Sequence, residues 1–203
     1  MKKGFTLIEI LVVIGIIGLL IGVSIGAFSR MTANAERTRC QELVANVATA
    51  MTAYFNDNGC WPKAILNNGG TKDAEFDEHA AYPLAKGKYM TLTTDNEKLS
   101  GYDKFGIVTP WATAVIKRRG TSASLSDRVQ SGGTIRDHRL HYAVDADGDG
   151  IIEGASVGGE STDIRATVAV WCCGKDGKIE GYTRGLKKDD IYSWTYGQTQ
   201  KVK

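Results

Sequence analysis

Hydrophobic side chains are concentrated at the start of the chain. Residues 10–28 contain a single polar side chain, that of Ser24. At a rise of about 1.5 Å per residue, a helix of this length nearly crosses a bilayer core of about 30 Å. The pattern therefore predicts a membrane-spanning helix over residues 5–28.

The helical pattern continues beyond that segment. Apolar residues recur at spacings of three and four, which places them on one face of an amphipathic helix. The run Asp57, Asn58 and Gly59 predicts the end of the helix, and Pro62 follows it. We therefore expect one helix from residue 5 to near Asp57, with a buried face formed by Cys40, Leu43, Val44, Val47, Ala48, Met51, Tyr54 and Phe55.

The rest of the chain reads as a smaller mixed region. We expect a loop over residues 67–77, a short helix or turn over 80–89 and a serine- and glycine-rich loop over 121–133. Residues 139–144 and 164–171 are strand candidates, and the second run alternates apolar positions. A long helix laid across a small antiparallel sheet buries both apolar faces, so the predicted fold class is α+β.

The charge balance of the chain gives no indication of a nucleic-acid partner. The formal net charge is +2, and removal of residues 1–4, which include Lys2 and Lys3, leaves 23 basic and 23 acidic side chains. A general nucleic-acid binder needs a basic excess, so nucleic acid is not an expected partner, although Lys117, Arg118 and Arg119 form a local basic run. No serine-nucleophile motif, phosphate loop or HExxH motif is present, and an enzyme is not expected. The histidines His79, His138 and His141 are expected to be exposed.

An acidic residue stands at the entrance of the apolar run. A secretory signal peptide fits poorly, because the run is long and no A-x-A site follows it. A carboxylate such as that of Glu9 is costly beside a membrane unless it has a partner. Cleavage between Gly4 and Phe5 would create a cationic amino group on Phe5. Glu9 of an adjacent copy could then neutralise this group as the helices pack together.

An acidic loop is the most specific motif in the second half of the chain. Asp145, Asp147 and Asp149, followed by Gly150, match the opening half of a calcium loop. Position twelve is Ser156 instead of an acidic residue. The alternative is a solvated acidic turn between two strands.

Four cysteines, Cys40, Cys60, Cys172 and Cys173, are disulfide candidates. Four cysteines allow three complete pairings, and the sequence does not choose among them. A disulfide between the adjacent residues Cys172 and Cys173 would be strained, so we do not expect these two to pair with each other. The alternative is that some are simply buried thiols.

The first nine residues resemble the N-terminal signal of type IV pilins and type II secretion pseudopilins. In that family a membrane prepilin peptidase cuts after the glycine and methylates the new N-terminus, and a glutamate near it governs assembly. The resemblance assigns these roles to Gly4, Phe5 and Glu9. It implies a leader over residues 1–4, a filament-core helix over 5–28 and a periplasmic domain over 29–203.

Two further segments resemble the pseudopilins. Residues 171–178 and 189–194 are similar to their C-terminal calcium loop, which implies calcium ligands at Asp176, Asp189 and Asp190. Basic residues nearby, Arg184, Lys187 and Lys188, could pair with these aspartates instead. Pro110 and Trp111 are similar to the pair that precedes the first sheet strand of pseudopilins.

The resemblance implies a structural subunit that starts as a single-pass inner-membrane precursor. Its expected partners are further copies in a helical filament, the prepilin peptidase and an inner-membrane assembly platform. The favoured reading is a type II secretion pseudopilus, a periplasmic piston that drives protein export. The alternative is a type IV pilus that serves adhesion, motility or DNA uptake at the cell surface.

Overall fold

One long helix occupies the first part of the described chain. The structure is a computed structural model that describes residues 6–67, 69–91, 107–120, 123–180, 189–194 and 199–201. Helix α1 spans Leu7–Asn58. Gly59 follows with φ of 67°, the left-handed conformation that closes a helix and that glycine adopts without strain. The predicted long helix and its end are confirmed.

The chain divides into two compact units, Met1–Thr38 and Arg39–Lys203. In the first unit the large apolar side chains of α1 that the structure describes are exposed. Their exposed fractions lie between 49% at Ile17 and 82% at Leu7. Within the described residues, the structure contains no helix with the length and apolarity needed to cross a membrane. Phe5 and the side chains of residues 23–27, which belong to the predicted span, lie outside the described residues.

The second unit buries one face of α1 from residue 40 onward. Cys40, Val44, Val47 and Met51 are at most 1% exposed. These positions lie at helical spacing, and they join the main hydrophobic core together with residues of the sheet such as Tyr142. The other positions of the predicted face, Leu43, Ala48, Tyr54 and Phe55, are partly buried and pack against the same core.

Short helices and strands follow α1. The helices are α2 (Lys63–Asn67), α3 (Glu78–Lys86) and α4 (Pro110–Arg119). The strands are β1 (Ala74–Glu75), β2 (Leu140–Val144), β3 (Ile152–Val157), β4 (Glu160–Ile164), β5 (Val168–Cys172), β6 (Ile191–Tyr192) and β7 (Thr199–Lys201). The predicted α+β class, the helix near residue 80 and the strand over residues 139–144 are confirmed, whereas β1 lies within the predicted loop over residues 67–77.

The strands form two antiparallel sheets. The first has the order β1-β2-β5-β6, and the second has the order β3-β4-β7. Tyr142 pairs with Val170 at the centre of the first sheet, and both are fully buried. This sheet supplies the strand residues of the main core, so it provides the surface that covers the apolar face of α1 in the second unit.

The predicted strand over residues 164–171 is wrong in its extent. Ile164 ends β4, whereas Val168 begins β5, and the two strands belong to different sheets. All residues of β5 are buried, because the strand has core on both of its faces. The alternation of apolar residues that suggested a single strand therefore runs across two strands.

The hairpin of β3 and β4 turns at Gly158 and Gly159, both with positive φ.

The prediction that Pro110 and Trp111 precede a strand is also wrong, because they begin helix α4. Proline at the first helical position has its φ angle preset, and its missing N–H removes a donor that the first turn leaves unpaired. Ala112 and Ala114 then favour the helix intrinsically. Trp111, Ala112 and Val115 face the core.

Truncation of the buried face of α1 should destabilise the second unit. Met51 is fully buried, so Met51→Ala should lower the free energy of unfolding by about 2–5 kcal/mol. Asn56→Ala, on the exposed side of the same helix, is the matched control and should change it by less than about 0.5 kcal/mol. Urea unfolding of the full chain in mild detergent measures both. Equal effects of the two substitutions would contradict the assigned helix face.

Candidate functional site

The N-terminal site contains a reciprocal set of hydrogen bonds between Thr6 and Glu9. The Thr6 backbone N–H and its hydroxyl each donate to Glu9 Oε2 at 2.7 Å. In return, the Glu9 backbone N–H lies 3.4 Å from Thr6 Oγ1. Thr6 directly precedes α1 and Glu9 is its third residue, so the pair forms a capping box. Gly4 and Phe5, the predicted cleavage and methylation residues, lie outside the described residues.

The capping box gives Glu9 a local role that the sequence analysis missed. The signal was present, because threonine followed three residues later by glutamate before an apolar run is typical of a helix start. A carboxylate in the first turn also interacts favourably with the positive end of the helix dipole. The predicted pairing of Glu9 with the Phe5 amino group of another copy stays a prediction.

The acidic loop follows directly from the central strand β2. Its first carboxylate, Asp145, is only 2% exposed, while Asp147 and Asp149 are exposed. Both oxygens of Asp145 accept backbone hydrogen bonds at 2.7 Å, one from Gly148 and the other from Gly150. Within the described part of the chain, these three aspartates form the one cluster of metal-ligating side chains, with ligand atoms within 4.8 Å of one another.

The position of this loop is fixed by the core beneath it. The Asp145 backbone N–H donates to the Thr167 carbonyl at 3.0 Å, at the start of β5. The Asp145 carbonyl accepts from the indole N–H of Trp61. Trp61 in turn stacks on Phe55 of α1, with ring centroids 4.8 Å apart. The loop is thus connected to both the sheet and the end of the long helix.

The carboxylate spacing fits a calcium ion. Calcium binds oxygen at about 2.3–2.6 Å, so ligands on opposite sides of it lie about 5 Å apart. The three ligand atoms satisfy that limit. Ser156, at the position where a calcium loop usually closes with an acidic residue, lies in β3. The three aspartates alone therefore provide a partial set of oxygen ligands.

The predicted C-terminal calcium ligands have a different arrangement. Asp190 is buried and accepts hydrogen bonds from the backbone N–H groups of Gly174 and Glu180, at 2.9 and 2.8 Å. Burial raises the pKa of Asp190 to about 6, although these donors act in the opposite direction. Asp189 is adjacent to Asp190 in the chain, and the Asp176 backbone N–H lies 3.4 Å from Asp189 Oδ2, but within the described residues the three carboxylates do not form a ligand cluster.

The assignment of calcium to Asp176, Asp189 and Asp190 stays a prediction. The protein supplies donors to Asp190 by itself, which is the arrangement expected of a structural carboxylate. The basic residues predicted to compete with a metal there, Arg184, Lys187 and Lys188, lie outside the described residues.

The expectation of exposed histidines is wrong for His138, which is fully buried. Its Nε2–H donates to the Gly132 carbonyl at 2.8 Å, so Nδ1 accepts from the Thr109 hydroxyl at 2.9 Å. Burial lowers the pKa of His138 and favours this neutral form. His141 lies on β2 beside Asp73 with a largely covered side chain, while His79 is exposed as expected.

The four candidate cysteines occupy different environments. Cys40, Cys172 and Cys173 are buried, while Cys60 is exposed, and all four are thiols in the structure. The Sγ atoms of Cys40 and Cys172 are 2.8 Å apart. Cys173 Sγ instead lies 3.0 Å from the Asp137 carbonyl and 3.4 Å from His138 Nδ1. Burial raises the pKa of the Cys173 thiol, so this cysteine is not an activated nucleophile.

Comparison with known proteins identifies the N-terminal region. The family model of the prokaryotic N-terminal methylation motif matches residues 1–25. The type IV major pilin protein PilE of Neisseria gonorrhoeae is 33% identical over 90 residues, which cover 44% of this chain and 48% of that protein. The first part of the chain is therefore similar to type IV pilins and carries the N-terminal methylation motif.

Further relatives give the same result. A fimbrial protein of Neisseria meningitidis serogroup B (strain ATCC BAA-335 / MC58) is 33% identical over 90 residues, which cover 44% of this chain and 48% of that protein. A fimbrial protein of Pseudomonas aeruginosa is 30% identical over 99 residues, which cover 47% of this chain and 62% of that protein. The chain spans about half the length of the curated relatives it matches. Comparison with solved structures gave no significant match.

These relatives change the order of the two predicted functions. The matched proteins are named as type IV pilins or fimbrial proteins, so they favour the pilus alternative over the secretion pseudopilus that the sequence analysis preferred. That preference came from the resemblance of the C-terminal segments to a calcium loop. A further pseudopilin resemblance, at Pro110 and Trp111, does not have the expected structural role, because these residues begin a helix.

Loss of the capping box should loosen the start of α1. Thr6→Ala removes the hydroxyl and should cost about 1 kcal/mol, which corresponds to about fivefold faster amide exchange in the first helical turn. Thr6→Ser keeps the hydroxyl and is the matched control. Hydrogen exchange of the full chain in detergent micelles measures both. Equal exchange rates in the alanine and serine variants would contradict the capping role.

Proposed function

We propose that this protein is a structural subunit of a type IV pilus-type filament. A prepilin peptidase would cut it after Gly4 and methylate Phe5, and an inner-membrane assembly platform would pass the mature subunit into the filament. The proposal is supported by the methylation motif over residues 1–25 and by the similarity to pilins. The globular unit would then lie outside the cytoplasm, with the assembled fibre at the cell surface.

The observation that carries this proposal is the exposed apolar helix of the first unit. Apolar surface of this extent is unfavourable in water by about 25 cal/mol for each Å². A soluble monomer does not normally expose such a surface, so an apolar surrounding is required. We infer that lipid covers the helix before assembly and that equivalent helices of other copies cover it afterwards. The exposed side chains include Leu7, Ile8, Leu11, Ile14, Ile17, Leu20 and Phe28.

A secretion pseudopilus remains a second candidate function. It is favoured by the resemblance of the segments around Asp176 and Asp189 to the pseudopilin calcium loop. A DNA-binding role is not proposed. The basic run at the end of α4 is partly neutralised, because Arg119 forms an ion pair with Asp127 at 3.0 Å.

Substitution of Glu9 separates its charge from its capping role. Glutamine in place of Glu9 keeps the hydrogen bonds of a capping box but removes the negative charge, whereas alanine removes both. If Glu9 neutralises the amino group of a neighbouring copy, Glu9→Gln and Glu9→Ala should both be cleaved normally and both fail to form filaments. Mass spectrometry of the N-terminus measures cleavage, and electron microscopy of sheared cells measures assembly.

The matched control is Glu42→Gln, which removes a charge from an exposed position further along α1. It should leave filaments intact. Normal filaments from Glu9→Gln, together with none from Glu9→Ala, would show that the cap and not the charge is what assembly needs.

We further propose that calcium binds the acidic loop. Asp145, Asp147 and Asp149 would supply the protein ligands, and the bound ion would neutralise their mutual repulsion. Support comes from the mutual distances of their ligand atoms and from the backbone bonds that hold Asp145 in place. The C-terminal set of Asp176, Asp189 and Asp190 is the alternative calcium site, proposed from the resemblance alone.

Calcium should raise the unfolding temperature of the full chain in detergent. At a concentration 100 times the dissociation constant, the gain is about 2.7 kcal/mol, or roughly 5–10 °C for a domain of this size. Chelation should reverse it. Asp147→Asn should abolish most of the increase, and Asp57→Asn, at an exposed position outside the loop, should keep it. An increase lost only in Asp176→Asn would place the ion at the C-terminal set, and no increase in the wild type would remove both proposals.

A further inference from the structure

Two cysteines that are far apart in the sequence meet in the main core. Cys40 lies on the buried face of α1, and Cys172 is the last residue of β5. They are 132 positions apart, yet their Sγ atoms are separated by 2.8 Å. Both side chains are fully buried. The two sulfur atoms are therefore closer than two unbonded sulfur atoms usually approach.

The other cysteines do not compete for these two thiols. Cys60 is exposed beyond the end of α1. Cys173 is adjacent to Cys172, but its sulfur contacts the Asp137 carbonyl and His138 instead. Among the four cysteines, all of them in the described residues, Cys40 and Cys172 form the one pair whose sulfur atoms are in contact. The tertiary structure thus selects one pair from the six that four cysteines allow.

The surroundings of the pair are those of a structural link. Both cysteines belong to the main hydrophobic core, which also contains Val44, Leu140 and Ile191. Leu140 lies opposite Cys172 in the neighbouring strand. A buried link in apolar surroundings is inaccessible to reductants once the domain has folded, as expected for a stabilising disulfide and not for a catalytic one.

We propose that Cys40 and Cys172 form a disulfide bond that joins α1 to β5. The two thiols lose two protons and two electrons as the S–S bond forms. The electron acceptor is a protein or small-molecule disulfide of the cell envelope, which is reduced to two thiols through a mixed-disulfide intermediate. This step occurs before the sheet closes over α1, while a thiolate can still be reached by the acceptor.

The disulfide would close a loop that contains most of the globular unit. Closure of a long loop reduces the number of conformations of the unfolded chain and thereby favours the folded one. It would also connect α1 covalently to β5 within the second unit. The proposal rests on the proposed function for its oxidising compartment, because such bonds persist outside the cytoplasm.

Peptide mapping of the native full-length protein tests this bond. Free thiols are blocked with one reagent in denaturant, disulfides are then reduced, and the released thiols are labelled with a second reagent. Cys40 and Cys172 should carry the second label, while Cys60 and Cys173 should carry the first. First-label modification of both Cys40 and Cys172 would overturn the proposal for the native protein.

Cysteine variants are needed for the assignment, because trypsin leaves Cys40 with Cys60 in one peptide and Cys172 with Cys173 in another. The link between these peptides should survive Cys60→Ser and Cys173→Ser and should be lost in Cys40→Ser and Cys172→Ser. A link that survives loss of Cys40 or Cys172 would assign the bond to a different pair and overturn the proposal.

Two measurements test the stabilising role of the bond and the extracytoplasmic location separately from the pairing itself. A reductant reaches the bond when the chain unfolds, so thermal unfolding in its presence should lower the unfolding temperature of the wild type by roughly 5–15 °C. It should not affect the variant in which both Cys40 and Cys172 are alanine. Equal effects on both proteins would overturn the stabilising role. If the native protein lacks the bond but the purified unfolded chain forms the same pair on refolding with glutathione disulfide, the pairing stands and the proposed extracytoplasmic location fails.

Discussion

The second unit depends on burial of one face of α1 against the antiparallel sheet. The helix residues from Cys40 to Met51 and the strand residues of β2 and β5 belong to one hydrophobic core. An apolar face exposed to water is unfavourable, so the helix and the sheet each need the other to bury that face. The loops that carry the chemical groups are positioned by this packing. Asp145 follows the end of β2, and its carbonyl is held by Trp61 just beyond α1.

The first unit has the opposite property, because the same helix presents apolar side chains that the described residues of its own chain do not cover. Leu7 is 82% exposed and Phe28 is 73% exposed. Under the proposed function, lipid or other copies of the protein would supply the apolar surrounding. Glu9 stands at the start of this surface and already serves the helix as its cap. Under the proposed function it would act both within its own chain and on the next one, which explains why a carboxylate is placed in such an apolar region.

Most of the fold class could be predicted from the sequence, because its signals are local. Helical spacing and a glycine stop defined α1, whose end at Asn58 agrees with the expectation. The sheet was less accessible to prediction. The apolar alternation over residues 164–171 did not mark the bounds of a strand, because β5 is buried on both faces and the break between β4 and β5 depends on which sheet each strand joins. The resemblance placed Pro110 and Trp111 just before a strand, but local helix preference decided the structure, and the two residues begin α4.

By itself, the sequence determined the processing motif, the apolar first half of α1, the amphipathic second half of α1 and the identity of the acidic loop. These features depend on residues that are neighbours in the chain, where spacing is fixed by covalent geometry and helical repeat. Only the tertiary structure decided that His138 is buried and neutral, that Asp190 accepts from Gly174 and Glu180, and that Cys40 meets Cys172. These contacts are not fixed by covalent neighbours, since their separations run from 6 positions for His138 and Gly132 to 132 for Cys40 and Cys172, so they depend on how the loops and elements pack together.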